Sequence, residues 1–219
     1  MHNFDWEAER QFSLTEVPTG HKVTPPNEVD SLLSLCTGRK DWAKLFDQKS
    51  ILEVGAGECS FLPHILEVSS PKRFVATDLF LGRMDFAQRY VTNSIVEFKE
   101  ANILSLPFNS GEFDVALAFG ILHHIPNLED AIAEIARILS PGGSFIFRDP
   151  WAGNPAVWLK YKLEKGSPNE FPLLIKRIKK SFAANKLRLL FLKRFWLRFP
   201  SLPPGPWSVN VGGIATKVS

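Results

Sequence analysis

The sequence predicts an α/β fold: a doubly wound, mostly parallel sheet with helices on both faces. Three observations point there. The apolar run Ile51, Leu52 and Val54 stops at Gly55-Ala56-Gly57 and gives way to Phe61-Leu62-Pro63-His64-Ile65-Leu66 at helical spacing. Asp78 closes the next strand-like run about twenty residues past those glycines. Phe113 to Phe119 is apolar almost throughout, as a strand covered on both faces must be.

Composition sets the frame. With 219 residues, 45% of them hydrophobic, the chain can fill the core of one domain. The formal net charge of +3 conceals an asymmetry. Residues 1–150 hold 13 Lys/Arg against 21 Asp/Glu, net −8, while residues 151–219 hold 13 against 2, net +11. An anionic partner is expected at the basic end. Cys36 and Cys59 lack paired spacing and have no Cys/His cluster beside them, which argues against a disulfide scaffold or metal site and fits a cytoplasmic setting. Met1 to Arg10 is acidic and mixed, unlike a signal peptide, and no apolar stretch nears the ~20 residues of a spanning helix.

Taken in order, residues 1–26 scatter Phe4, Trp6 and Phe12 among charges and read as an irregular aromatic strap. Asn27 to Phe46 predicts two short helices broken near Thr37-Gly38. After the first strand, the glycine turn lets a ligand approach the backbone, and the helix behind it aims free N–H groups at that ligand. Arg73 to Thr77 is the second strand, with Asp78 at its tip placed to accept hydrogen bonds from ribose hydroxyls; as a plain turn aspartate it would only cap the loop. Gly82 to Val91 is helical, Ile95 to Lys99 is the third strand, and Phe113 to Phe119 the fourth. Asn127 N-caps a helix whose stripe of Leu128, Ala131, Ile132, Ile135 and Leu139 faces the core. Ser140-Pro141-Gly142-Gly143 stops it ahead of a fifth strand, Ser144 to Phe147.

Leu173 to Asn185 sets Leu174, Ile175, Ile178 and Phe182 on one face and Lys176, Arg177, Lys179 and Lys180 on another. Such a helix either packs on the sheet or lies on an anionic membrane surface. Leu187 to Phe199 reads as a sixth strand. Pro200 to Pro206 enforce an extended connection, and Val209 to Val218 is the last strand.

The run E-V-G-A-G-E at 53–58 resembles the first motif of class I S-adenosylmethionine-dependent methyltransferases. A-N-I-L-S-L-P-F at 101–108 is similar to a later segment of that family. F-D-V at 113–115, followed by L-H-H-I at 122–125, is a close likeness to its type 11 domain, and the likeness spans residues 50 to 148. It implies a Rossmann-like sheet of seven strands with the last antiparallel, S-adenosyl-L-methionine as cofactor, and methyl transfer to a small-molecule acceptor. The implied cofactor contacts are Glu53, Gly55, Ala56 and Gly57 at the first turn, Asp78 and Leu79 after the second strand, Asn102 and Ile103 after the third, and Phe119 and Gly120 after the fourth. Where the family places an acid to accept from the adenine amino group, this chain has Asn102, whose amide oxygen accepts the same bond without charge.

Of the adjacent histidines, His123 reads as structural and His124 is the candidate base, since imidazole titrates near neutrality. Their side chains diverge on any regular backbone, so they make no metal pair. Asp149 and Trp151, at the carboxyl end of the fifth strand, are candidates for acceptor contact. The whole chain, 1–219, is then one methyltransferase domain. It comprises an arm and helices at 1–49, the arm serving as strap or lid, and a cofactor core at 50–149. A substrate-specific region with the basic helix follows at 150–206, then the final strand at 207–219. Basic residues there, Lys160, Lys162, Lys176 and Arg177, suggest an acidic acceptor.

Two other classes compete. A nicotinamide oxidoreductase shares the glycine turn and acid, but Ser60 stands where its third glycine belongs. A non-catalytic protein of this fold would use the basic end on membranes or nucleic acid, though no interleaved aromatic and basic strand pair speaks for nucleic acid.

Overall fold

The computed structural model describes residues 23–163, 171, 173–196 and 208–219. The aromatic strap or lid with Phe4, Trp6 and Phe12, and the proline connection from Pro200 to Pro206, lie outside the described residues, as do the side chains of Lys160 and Lys162.

Seven strands form one sheet in the order β3-β2-β1-β4-β5-β7-β6. They are β1 (Ser50–Val54), β2 (Arg73–Asp78), β3 (Val96–Glu100), β4 (Phe113–Phe119), β5 (Leu139–Pro150), β6 (Leu187–Phe195) and β7 (Asn210–Lys217). The pairs β1–β2, β1–β4, β2–β3 and β4–β5 are parallel, whereas β7 runs antiparallel to both β5 and β6. The chain order reverses direction across β1 and β4, so the carboxyl ends of these strands open a crevice at a topological switch point.

Alternation along each buried strand sends side chains to two separate cores. Leu52, Val54, Phe145 and Phe147 face α4 (Leu128–Ile138) and α6 (Ile175–Ala184), while Ile51, Leu117 and Ile146 face α1 (Pro26–Thr37), α2 (Leu62–Val68) and α3 (Asp85–Tyr90). The period of two within a strand thus fixes which helix each residue meets. On α4 the stripe Leu128, Ala131, Ile132 and Ile135 is wholly buried, and Glu129 at its first turn holds Arg177 of α6 at 2.8 Å. That pairing and the burial of Glu129 oppose one another; the pairing dominates and holds its carboxyl down to about 2.

Several boundaries differ from the sequence reading. The second predicted helix before β1 tightens to a 3₁₀ turn, Trp42–Leu45, and the predicted helix at 82–91 opens as a 3₁₀ turn, Leu81–Met84, ahead of α3. Ser140 to Gly143 does not separate helix from strand. Leu139 already pairs with Phe113, and the register shifts so that Ser144 pairs with Val115, making those residues a bulge within β5. An additional helix, α5 (Pro155–Leu163), follows β5, where Asn154 Oδ1 accepts the Ala156 amide at 2.8 Å. The sixth strand stands as expected, ending at Phe195.

The amphipathic helix packs on the sheet. Phe182 of α6 meets Phe145 and Phe147 at ring distances of 5.7 and 5.3 Å, and Ile178 is buried with it. Ile178 and Phe182 are therefore covered, as the packing reading expects, whereas Leu174 at the helix start is exposed and Lys176, Lys179 and Lys180 remain in solvent. Among the described residues no helix is long and apolar enough to cross a membrane.

The β5 bulge depends on Gly143, where a Cβ would lie 2.8 Å from the Ser140 carbonyl oxygen and 3.1 Å from that of Asp114. Backbone atoms cannot step aside as a side chain can. Gly143→Ala is expected to destabilise the fold by about 2 kcal/mol or more in urea unfolding, against under ~0.5 kcal/mol for the exposed Gly82→Ala, which meets nothing within 4 Å.

Candidate active site

The site is built where β1, β2 and β4 end. Gly55, φ +64°, and Gly57, φ +53°, turn the chain out of β1 in the left-handed region that glycine tolerates. Their missing side chains serve different ends. A Cβ on Gly55 would come within 2.5 Å of Ile121 Cγ1, so this position makes room for the loop after β4 and not for a ligand. At Gly57 the nearest atom to such a Cβ is Arg83 Nη2 at 3.7 Å, which leaves the turn open there. The following helix is α2, seven residues beginning at Leu62, and the chain between is carried by Cys59, a non-glycine at φ +53°. Its first turn follows Gly57 after Glu58 to Phe61, where the helical spacing from Phe61 placed it. Thr24 donates its amide to the Ser60 carbonyl at 3.0 Å, bringing the segment ahead of α1 beside the same turn.

Asp78 ties the turn to β2. Its Oδ2 accepts the Gly57 amide at 2.8 Å and its Oδ1 the Phe80 amide at 3.3 Å, with only 6% of the residue exposed. Ala56 completes the link by donating its amide to the Thr77 carbonyl at 2.9 Å. Glu53 lies on the same side of the sheet, 3% exposed, and its Oε2 is buried with no hydrogen-bond partner among the described residues. Burial first, then repulsion from Asp78, pushes its carboxyl up to about 8, so it holds a proton at neutral pH.

The loop after β3 is a tight turn. Asn102 Oδ1 accepts the Leu104 amide at 2.9 Å, leaving its NH₂ group as donor, and Ile103 beside it is 7% exposed. Leu79 is half-buried next to Asp78. At the end of β4, Phe119 is half-buried with its ring edge-on to Phe61 at 5.3 Å, and Gly120, φ +72°, starts the loop to the histidines. Glu53, Gly57, Asp78, Phe119 and Gly120 are therefore gathered at the ends of adjacent strands, β2-β1-β4.

The acceptor-side candidates sit deeper than expected. Asp149 is 0% exposed, and its Oδ1 pairs with His123 Nδ1 at 2.7 Å while accepting the His123 amide at 3.1 Å. Trp151 is 9% exposed, with Arg194 stacked 4.5 Å over its ring. Asp149 thus backs His123, and Trp151 packs into the core cluster that holds Leu122 and Ile125. The histidine rings do not diverge: Leu122–His124 is a 3₁₀ turn that brings their centroids to 4.0 Å, with His123 buried and His124 half-buried. The His123–Asp149 pair went unseen in the sequence because it joins residues on two strands' ends. Arg148, beside Gly120, was missed for the same reason.

Two outcomes test this geometry. A raised carboxyl pKa means that between about 4.5 and 8 the folded chain binds more protons at Glu53 than the unfolded chain, so this group's contribution lowers stability as pH rises through that window. Glu53→Gln is expected to flatten that fall in stability from pH 5 to 8, measured by urea unfolding. Gly55→Ala, which meets Ile121 at 2.5 Å with φ +64°, is expected to cost about 2–4 kcal/mol in the same measurement.

Comparison with known proteins agrees with this architecture. Residues 52–147 match the methyltransferase domain family of type 11. The chain is 30% identical over 101 residues to a fatty-acid O-methyltransferase of Mycolicibacterium smegmatis, covering 46% of this chain and 37% of that protein. It is 34% identical over 99 residues to the ubiquinone/menaquinone biosynthesis C-methyltransferase of Brucella canis, covering 42% and 35%. The matches thus span well under half the length of these curated relatives. In fold, an S-adenosylmethionine-dependent methyltransferase of Mesorhizobium loti superposes with a TM-score of 0.67 at 16% identity, over 82% of this chain and 99% of that one. The methyltransferase CalH in complex with SAH gives 0.64 at 19% identity, over 87% and 55%. The chain thus carries, at residues 52–147, a segment that matches the type 11 methyltransferase domain, set in a seven-stranded sheet with an antiparallel last strand.

Proposed function

We propose that this protein is an enzyme transferring a methyl group from S-adenosyl-L-methionine to a small-molecule acceptor. The observation that carries the reading is Glu53: a buried carboxyl with an oxygen lacking any partner among the described residues, next to a second acid, Asp78. Two acids so placed favour a ligand that brings positive charge and hydroxyl donors, as this cofactor does through its sulfonium, its ammonium and its ribose. When bound, S-adenosyl-L-methionine supplies a methyl group made electrophilic by its positive sulfur.

The chain's residues have the remaining tasks. Asp78 accepts two backbone amides, and a carboxylate's spare lone pairs leave it able to take ribose hydroxyls as well. Glu53 gives up its proton as a cation arrives, because opposite charge reverses the penalty that holds the proton on. Asn102 offers its amide beside the buried Ile103, a mixed polar and apolar setting suited to an adenine ring. Ala56, Gly57, Leu79, Phe119 and Gly120 line the same edge. For an acceptor that must lose a proton, His124 is the candidate base, and His123, braced by Asp149, backs the turn that presents it.

The acceptor is read as acidic, a fatty-acid-like carboxylate being the first candidate. The excess of cationic residues after Pro150 and the likeness to the Mycolicibacterium smegmatis enzyme support this. Cys36 and Cys59 are both buried and unpaired, in keeping with a cytoplasmic location. The nicotinamide alternative has no observation in its favour beyond the shared turn.

Calorimetry tests the cofactor. S-adenosylhomocysteine is expected to bind and NAD not to; the reverse overturns the assignment. Proton release from Glu53 near pH 7 predicts that the heat of binding varies with the ionisation enthalpy of the buffer, and that Glu53→Gln removes this dependence. Asp78→Ala is expected to weaken S-adenosylhomocysteine about tenfold or more. In a labelled-methyl screen, acidic small molecules are expected among the acceptors, and His124→Ala is expected to lower kcat by about a hundredfold or more with such an acceptor.

A further inference from the structure

We propose that Arg148 is an anion-receiving side chain at the β4–β5 end of the cleft and binds a carboxylate carried by a ligand of this site, an inference that rests on the functional reading above. Arg148 stands in register between Phe119 of β4 and Gly212 of β7, and its main-chain carbonyl accepts the Gly120 amide at 2.7 Å. Its guanidinium reaches over Gly120, since a Cβ there would lie 3.6 Å from Nη1. The positive charge is thereby held where β4 ends, one strand beyond the Gly55–Gly57 turn and on the side of the sheet that carries Glu53 and Phe119.

Among the described residues nothing answers this charge. The partly buried Arg73, Arg137 and Arg177 each hold a carboxylate, at 2.6, 2.7 and 2.8 Å. Half-buried Arg148 has neither a side-chain hydrogen bond nor an ion pair among the described residues, and its Nε is sealed from water without an acceptor. Asp149, next in sequence, points to the opposite face and is taken by His123. Cys36 approaches from α1, but burial pushes its thiol up to about 12, so it supplies no negative charge. A carboxyl in such a place can neutralise itself, as Glu53 does. A guanidinium cannot, and its planar fork instead matches a carboxylate through two parallel hydrogen bonds. The two sources of that carboxylate are the amino-acid end of the cofactor and the acidic group of the acceptor.

Binding to Arg148→Gln and to the unsubstituted protein distinguishes them. The probes form two pairs. S-adenosylhomocysteine is set against 5′-methylthioadenosine, which lacks the amino acid; decanoate is set against decanol, both with the nucleoside present. The substitution is expected to weaken one carboxylate-bearing probe about ten- to a hundredfold and to leave its neutral partner unchanged, with Arg148→Lys in between. Loss on S-adenosylhomocysteine assigns the anion to the cofactor, and loss on decanoate assigns it to the acceptor. Equal affinities of both proteins for every carboxylate probe overturn the proposal. So does a lowered melting temperature with uniform loss across all probes, which marks a structural arginine. If neither nucleoside binds the unsubstituted protein, the functional reading fails; decanoate binding that still depends on Arg148 then sustains this inference alone, and its absence ends both.

Discussion

The hydrogen bond from the Gly57 amide to the Asp78 carboxylate, beside that from the Ala56 amide to the Thr77 carbonyl, carries the link between two strand ends past the last paired residues. Parallel pairing of β1 with β2 brings Val54 opposite Thr77, so the residues just beyond them, a glycine turn and an acid, emerge side by side. From that link the rest of the crevice follows. The turn leans on Ile121 through the absent side chain of Gly55, which fixes the loop after β4, and that loop in turn presents Gly120 and the histidines. A shift of one residue in any of these registers would send Asp78 or Phe119 to the other face.

Charge is distributed across this edge in an order that suits a ligand with separated positive and negative groups. Glu53 and Asp78 crowd acid over β1 and β2, while Arg148 places over β5 a cation with no counter-charge among the described residues. Neither arrangement serves stability: a buried carboxyl that holds its proton and a buried Nε with no acceptor among the described residues both cost the fold free energy. Unfavourable polar burial of opposite sign at two ends of one crevice accords with the proposed cofactor and acid-bearing acceptor. The opposite face shows the contrast. There Glu129 and Arg177 satisfy each other, and α6 packs onto β5 through Phe182.

Much of this was legible along the chain. Strand and helix runs, the glycine turn, the acid at the tip of β2 and the apolar β4 are local signals, each carried by neighbours within a few residues, and they emerged where expected. Boundaries were less legible where hydrogen bonding to distant backbone decides them. Leu139 joins the sheet because Phe113 lies opposite, not because of its own neighbours, and Pro155–Leu163 forms a helix with no clear amphipathic stripe to announce it. The histidines illustrate the same limit, since a 3₁₀ turn brought together rings that a regular backbone would have separated.

The sequence by itself determined the fold class and the positions of Glu53, Gly57, Asp78 and Gly120, because periodicity and turn chemistry are properties of contiguous residues. Only the tertiary structure decided that Gly55 yields to Ile121, that Asp149 grips His123, and that Arg148 has no counter-charge among the described residues. Those facts depend on which strands lie adjacent and which face each residue takes, and solvation and pairing are fixed by that adjacency and not by order along the chain.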